Sequence, residues 1–168
     1  MITFKGIMRK LLGTEIIVYS ANTEIVYMQQ PNIFEIINLD RIIDKRISRS
    51  LAEERMANGR LFGVFVGDNI VHQSWLRFDE MDISEVNQKI KLNVNEACIY
   101  DCYTAEEFRG KGYYPRMLEF LRAWLKQVGV DKVYIYVEAD NKSSIRGIEK
   151  AGFTKERAIK TGLFGRAK

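Results

Sequence analysis

The chain has little of what metal-binding, secreted, membrane-spanning and nucleic-acid-binding proteins are built from. It holds two cysteines and one histidine in 168 residues, too few for a structural zinc site. Cys98 and Cys102 stand four apart in a stretch that reads as one strand, a separation of roughly 13 Å at strand rise, whereas a disulfide spans about 4.4 to 6.8 Å. Thiols that cannot pair with each other fit a reducing cytoplasm. The longest apolar runs, Leu61 to Val66 and Val133 to Val137, are far short of the about 20 residues that a spanning helix needs. Lys5, Arg9 and Lys10 are followed by no long apolar stretch and no cleavage site, so a soluble, cytoplasmic protein without a membrane partner is expected. The formal charge of +4 and pI of 9.0 come from scattered basic residues without interleaved aromatics, which argues against a nucleic-acid partner. With no repeat, low-complexity tract or linker, residues 1–168 read as one domain.

What is present is an alternation of strand and helix patterns. Glu15 to Ser20 and Thr23 to Met28 read as two strands around Ala21-Asn22. Between Ile33 and Asn58, Ile37, Ile42, Ile43, Ile47 and Leu51 recur at helical spacing against Arg41, Lys45, Arg46, Arg49 and Glu53. That spacing predicts two helices whose charges form a solvated face. Leu61 to Val66 and Ile70 to Phe78 flank Gly67-Asp68-Asn69 as a hairpin. A polar connection then leads to a strand over Ala97 to Thr104, a glycine-bearing loop, and a helix from Tyr114 to Val128 closed by Gly129. A strand over Lys132 to Glu138 follows, then a short helix capped by Asn141 or Ser143, then one or two strands after Phe153. This order predicts an α/β or α+β domain with a mixed sheet.

The glycine-bearing loop, Phe108-Arg109-Gly110-Lys111-Gly112-Tyr113-Tyr114-Pro115, reads as an anion cradle. Two glycines one residue apart permit a tight turn whose amides converge, and the following helix adds the positive end of its dipole. It is neither of two familiar phosphate loops. No glycine stands five residues before the Gly110-Lys111 pair, no Ser or Thr follows Lys111, and the third glycine of a dinucleotide fingerprint is missing.

Together with Asn141-Lys142-Ser143-Ser144 and Glu149-Lys150-Ala151-Gly152-Phe153, this loop resembles the GNAT superfamily of acyl-CoA-dependent N-acyltransferases. Arg109 and Gly112 meet the family's Arg/Gln-x-x-Gly-x-Gly/Ala pattern; Asn141, Ser144, Glu149, Lys150, Gly152 and Phe153 meet its second motif. The likeness covers about Leu61 to Phe153. It implies a mixed, mostly antiparallel central sheet flanked by helices and splayed at two parallel central strands. It also implies acetyl-CoA as co-substrate, no metal, a small-molecule amine as partner, and leaves a homodimer open. The amides of Arg109, Gly110, Lys111, Gly112, Tyr113 and Tyr114 would bind the pyrophosphate. Backbone groups of Cys102, Tyr103 and Thr104 would pair with the pantetheine like an added strand. Asn141 and Ser144 would lie beside that arm, although Asn141 serves equally well as a helix N-cap. The chain departs from the family at Tyr114, where glycine or alanine is usual, and at Ile148, where many members carry the tyrosine that protonates the departing thiolate. Cys98 and Tyr136 occupy the positions where members keep a glutamate base.

Acyl transfer to an amine needs a proton acceptor and donors for an oxyanion. Five residues near the expected centre are candidates: His72, Asp101, Tyr136, Glu96 and Glu138. Each has a plain alternative: Tyr136 as packing, Glu96 and Glu138 as solvated strand ends; Asp101, a carboxylate in an otherwise apolar strand, needs a partner or a function, and His72 invites over-reading as the only histidine. Tyr103 and Tyr113 are further phenols for the thiolate or the acceptor pocket, and Cys98 and Cys102 lack a neighbouring cation that would make either a nucleophile. Three functions stay open. They are an N-acetyltransferase for a small molecule or amino sugar, with His72-Gln73-Ser74-Trp75 and Tyr100 to Tyr103 lining the sugar site; a non-catalytic acyl-CoA-binding regulator; and an acetyltransferase for a protein or peptide amine.

Overall fold

In the computed structural model, residues 13–25 and 32–161 are described. A seven-stranded sheet runs in the order β2-β3-β4-β7-β8-β1-β9, with β1 Glu15–Asn22, β2 Ile33–Glu35, β3 Gly59–Val66, β4 Asn69–Arg77, β7 Glu96–Thr104, β8 Lys132–Glu138 and β9 Thr154–Lys160. Every pairing in it is antiparallel except β7 with β8. A small second sheet joins β5 Glu80–Ile83 to β6 Gln88–Lys91. Among the described residues there are three α-helices: α1 Arg49–Asn58, α2 Tyr113–Gln127 and α3 Lys142–Lys150. The fold class is as expected.

Side-chain alternation along the strands assigns the layers. Ile17, Tyr19, Ala97, Ile99, Val133 and Ile135 pack in one cluster with Met117, Leu118, Leu121 and Leu125 of α2 and Ile148 of α3. Their neighbours Ile16, Val18, Cys98, Tyr100 and Tyr134 face the other way, against Ala52 of α1 and Met81 and Ile83 of β5. The central strands are therefore apolar on both faces, which is why Val-Tyr-Ile-Tyr-Val reads as a continuous run. Leu121 is fully buried, and truncating such a side chain to alanine costs about 2 to 5 kcal/mol.

Three regions differ from the sequence reading. The segment after Ile33 is an edge strand and a 3-10 turn before a single helix, not two helices. Ile33 pairs with Val64, and Ile36 fills the space over Gly63, where an added Cβ would lie 2.7 Å from its Cδ1. Sheet pairing and packing thus override the helical spacing, and Ile37 is left 79% exposed. The polar connection holds the β5–β6 hairpin, whose Lys89 bridges Glu80 and Asp82 across the strands. The β1 run continues through Ala21-Asn22 and pairs with β8 and β9 rather than turning back; Thr23 to Ile25 are not strand, and Val26 to Met28 lie outside the described residues. No helix among the described residues is long and apolar enough to cross a membrane.

Candidate functional site

The parallel pair opens midway. Glu96 to Ile99 of β7 pair with Lys132 to Ile135 of β8, and beyond Ile99 and Ile135 the two strands part. The cause lies in β7. Trp75 pairs with Tyr100 while Gln73 pairs with Tyr103, so three steps on β7 oppose two on β4, and Asp101 adopts φ +47°. This β-bulge adds a residue, bends the strand and reverses its parity. Strict alternation would put Asp101 with Ala97 and Ile99 under α2. Instead its carboxylate turns to the α1 side and accepts from Arg55 Nη1 at 2.7 Å, with Arg46 at 3.8 Å, while Cys102 packs on the α2 side.

Two clefts meet in the gap. One, of about 680 Å³, runs from the glycine loop along the free edge of β7 to α3. Gly110 and Gly112 both lie in the left-handed region, φ +75° and +79°, and a Cβ on either would enter open space. Only the backbone conformation demands glycine there, and the space above it is free for a ligand. α2 starts at Tyr113 with no side-chain cap from Gly112, so its first amides have no partner within the helix. Arg46, Arg109, Arg146 and Lys150 line this cleft, and no carboxylate does. A convergent amide cradle in an all-cationic cleft fits a pyrophosphate. Tyr103 and Thr104 line it as well; Arg109 Nε donates to the Thr104 carbonyl at 3.2 Å, tying the loop to the end of β7. Lys111 is exposed, its Nζ 4.8 Å above the Phe108 ring. Asn141 Oδ1 caps α3 by accepting from the Ser144 amide, and both residues line the cleft, so Asn141's two sequence readings coexist.

The second cleft, of about 550 Å³, lies on the α1 side and is lined by Glu54, Glu80, Asp82, Glu85, Asp101 and Glu138 against three arginines, Arg46, Arg55 and Arg77. Arg55 stacks between the faces of Trp75 and Tyr100, 5.4 and 5.2 Å from their centroids. Arg46 donates two bonds to the buried Asp44 and holds its carboxyl below the usual carboxylate range. These two arginines belong to the stretch expected to be a solvated face. The sequence gives no signal that Arg55 turns inward, because the bulge that draws it to Asp101 arises only in the folded sheet; Arg46 stays largely exposed.

Of the catalytic candidates, Asp101, Tyr136 and Glu138 line this second cleft. The Tyr136 hydroxyl donates to the Asp82 carbonyl at 2.8 Å, and burial raises its pKa. Glu96 is at the far end of β7, accepting from Tyr134 and Asn93, and lines neither cleft. His72 is fully buried behind the coenzyme-sized cleft. Its Nδ1 meets Thr104 Oγ1 at 2.7 Å and its Nε2 meets Ser74 Oγ at 2.9 Å. Burial pushes its pKa down to about 3, so the ring is neutral. Gln73, Ser74 and Trp75 are also fully buried and line neither cleft, so that half of the expected sugar-binding surface is absent from the site. Both cysteines are free thiols; burial raises Cys98 and pushes Cys102 up to about 12, which suits neither to nucleophilic attack. No group of metal-ligating side chains occurs among the described residues.

Comparison with known proteins agrees with this geometry. The profile of the Acetyltransferase (GNAT) family matches residues 31–153. A mycothiol acetyltransferase of Corynebacterium efficiens is 31% identical over 88 residues, 52% of this chain and 25% of that protein, so the chain spans about a quarter of this curated relative's length. A GNAT-family acetyltransferase structure from Novosphingobium aromaticivorans superposes with a TM-score of 0.67 at 19% identity, over 87% of this chain and 62% of that one. A Bacillus subtilis acetyltransferase solved in complex with CoA gives 0.59 at 16% identity, over 75% and 78%. The aminoglycoside 6'-N-acetyltransferase of Acinetobacter haemolyticus gives 0.55 at 15%, over 75% and 93%. With most of its length matched by the family profile and the splayed sheet in place, the chain belongs to the acetyltransferase (GNAT) family.

Proposed function

We propose that the protein transfers an acetyl group from acetyl-CoA to the primary amine of a cationic small molecule, by direct attack within a ternary complex. The observation that carries this reading is the opposite charge of two clefts that join at the strand splay. The cationic cleft suits a polyphosphate, and the other, with six carboxylates against three arginines, suits a protonated amine. In this reading the amides from Arg109 to Tyr114 hold the pyrophosphate and the free edge of β7 at Cys102 to Thr104 aligns the pantetheine arm. An attacking amine must lose a proton, and Asp101 and Glu138 are the carboxylates that the two diverging strands present to the cavity. Arg55 orients Asp101, and Tyr136 braces the β5 end of the pocket through Asp82. His72, neutral and hydrogen-bonded at both nitrogens, acts as part of the wall.

The test is calorimetric titration with acetyl-CoA together with thiol release over a panel of di- and polyamines, amino sugars and acidic and basic peptides. Turnover of small cationic amines supports the proposal. Tight binding with no turnover of any amine favours the non-catalytic acyl-CoA regulator that Ile148, Cys98 and Tyr136 at the family's proton-carrier positions suggest. Turnover confined to peptides moves the acceptor to a protein.

A further inference from the structure

Acetyl transfer of this kind leaves a thiolate that must be protonated, and Ile148 on α3 is apolar and fully buried. Five residues line both clefts and so surround the point where a thioester would pass from one to the other: Arg46, Cys102, Tyr114, Asn141 and Ser144. Arg46 is bound to Asp44, Asn141 caps α3, and the Cys102 thiol is directed at the Tyr100 carbonyl. Between the remaining hydroxyls, a phenol is far closer in acidity to a thiol than the aliphatic alcohol of Ser144 is.

The Tyr114 ring is held in place by an exchange of side chains. A Cβ on Gly147 would lie 2.6 Å from Tyr114 Cδ1 and 3.0 Å from Cε1. The ring therefore occupies the space directly over the α3 backbone, one residue before Ile148. Its other neighbour is the His72 ring, with centroids 5.6 Å apart. The hydroxyl interacts with the Cys102 side chain, which, second to burial, holds the phenol's pKa up and also accepts from Ser74 Oγ at 3.2 Å. Ser74 in turn meets His72, and His72 meets Thr104. A buried polar chain thus fixes the phenol from behind, and burial raises its pKa well above the ordinary value, keeping it protonated.

We infer that Tyr114 is the catalytic residue that donates a proton to the coenzyme sulfur, with Gly147 as the position that makes room for its ring; the inference rests on the acetyl-transfer reading above. As the tetrahedral adduct collapses, the carbon–sulfur bond breaks and its electron pair stays on sulfur. The phenol proton moves to that sulfur, and the phenolate is refilled by the proton that the attacking nitrogen releases to Asp101 or Glu138, which pass it on.

The test compares the wild type with Tyr114→Phe by calorimetric titration of CoA and of desulfo-CoA between pH 7 and 10. The titratable and charged groups that line the coenzyme side with the phenol are His72, Cys102, Tyr103, Tyr113, Arg46, Arg109, Arg146 and Lys150, with Asp101 and Glu138 on the acceptor side; Tyr103 and Tyr113 are present in both proteins and cancel in the comparison. His72, at about 3, and Cys102, at about 12, lie outside the pH window. A phenol donor to the thiolate tightens wild-type binding of CoA relative to desulfo-CoA by roughly tenfold as the thiol ionises, the size of one hydrogen bond to a charged group. Tyr114→Phe is expected to lose that gain while keeping desulfo-CoA affinity, which also shows that the variant is folded. Where an amine is turned over, its kcat falls by about a hundredfold. Gly147→Ala, which displaces the ring but keeps the hydroxyl, is expected to lose the gain as well. An equal CoA to desulfo-CoA ratio in wild type and Tyr114→Phe overturns the role of Tyr114 and leaves the acetyl-transfer reading standing. Failure of the wild type to bind CoA overturns both. The ratio needs no acceptor, so it decides the role of Tyr114 even where no amine in the panel is turned over.

Discussion

The two clefts use the same strand gap in opposite ways. The cationic one is built on backbone, with paired positive-φ glycines, the start of α2 and the free edge of β7. Its charged side chains only surround it. The other is built on side chains drawn from α1, β4, β5, β7 and β8. On the proposed reading, the backbone site takes the coenzyme that the family shares, and the side-chain site is free to change with the acceptor.

The sharpest way to separate the two is at the acceptor carboxylates. Asp101→Asn and Glu138→Gln should each lower turnover by about 10²-fold or more where the residue takes up the amine proton. Affinity for acetyl-CoA should stay within about twofold, measured by steady-state kinetics beside calorimetry. An equal loss in both quantities breaks the division. The converse variant is Gly112→Val. A β-branched residue at φ +79° carries about 1 to 3 kcal/mol of strain and places its methyls in the cleft. Acetyl-CoA affinity should fall about 10- to 100-fold with the amine KM little changed.

A third experiment probes the buried wall behind the coenzyme cleft. His72 binds a proton in the unfolded chain below its ordinary 6.5 but in the folded protein only near 3. The unfolded state therefore binds more protons in that window, and stability falls as pH drops from 6.5 toward 3. At pH 5 the loss is about 2 kcal/mol, before the carboxylates titrate. Denaturant unfolding at pH 7 and pH 5 should show it, and His72→Gln should remove most of the difference. The smallest effects belong to the charges around each cleft. Lys150→Glu should weaken acetyl-CoA binding several-fold and Glu85→Lys should raise the amine KM several-fold. Both effects should shrink in high salt, because both side chains are exposed.

How far the sequence could be read follows the same division. The glycine loop, the Asn141 cap and the β3–β4 hairpin are local, set by residues within a few positions of one another, and each was legible. The edge strand at Ile33 and the inward turn of Arg55 were not. Ile33 to Glu35 became strand through pairing with β3, 27 or more positions away along the chain. Arg55 left the solvated face because Asp101, 46 residues on, turned toward it. Tyr114 was visible as a backbone donor of the glycine loop and as a departure from a motif, not as a side chain with a role of its own. Its place between the clefts depends on Gly147 and Cys102, which come from another helix and another strand.

By itself, then, the sequence determined the family, the conformation of the glycine loop and the order of elements from β3 to β4 and from β7 onward, because hydrophobic period, glycine conformation and helix capping act over short stretches of chain. The tertiary structure alone decided which charges line the second cleft, that His72 is buried and neutral, and that Tyr114 stands where the two clefts meet. The β7 bulge reverses the direction of every side chain after it, and long-range packing selects which of them meet.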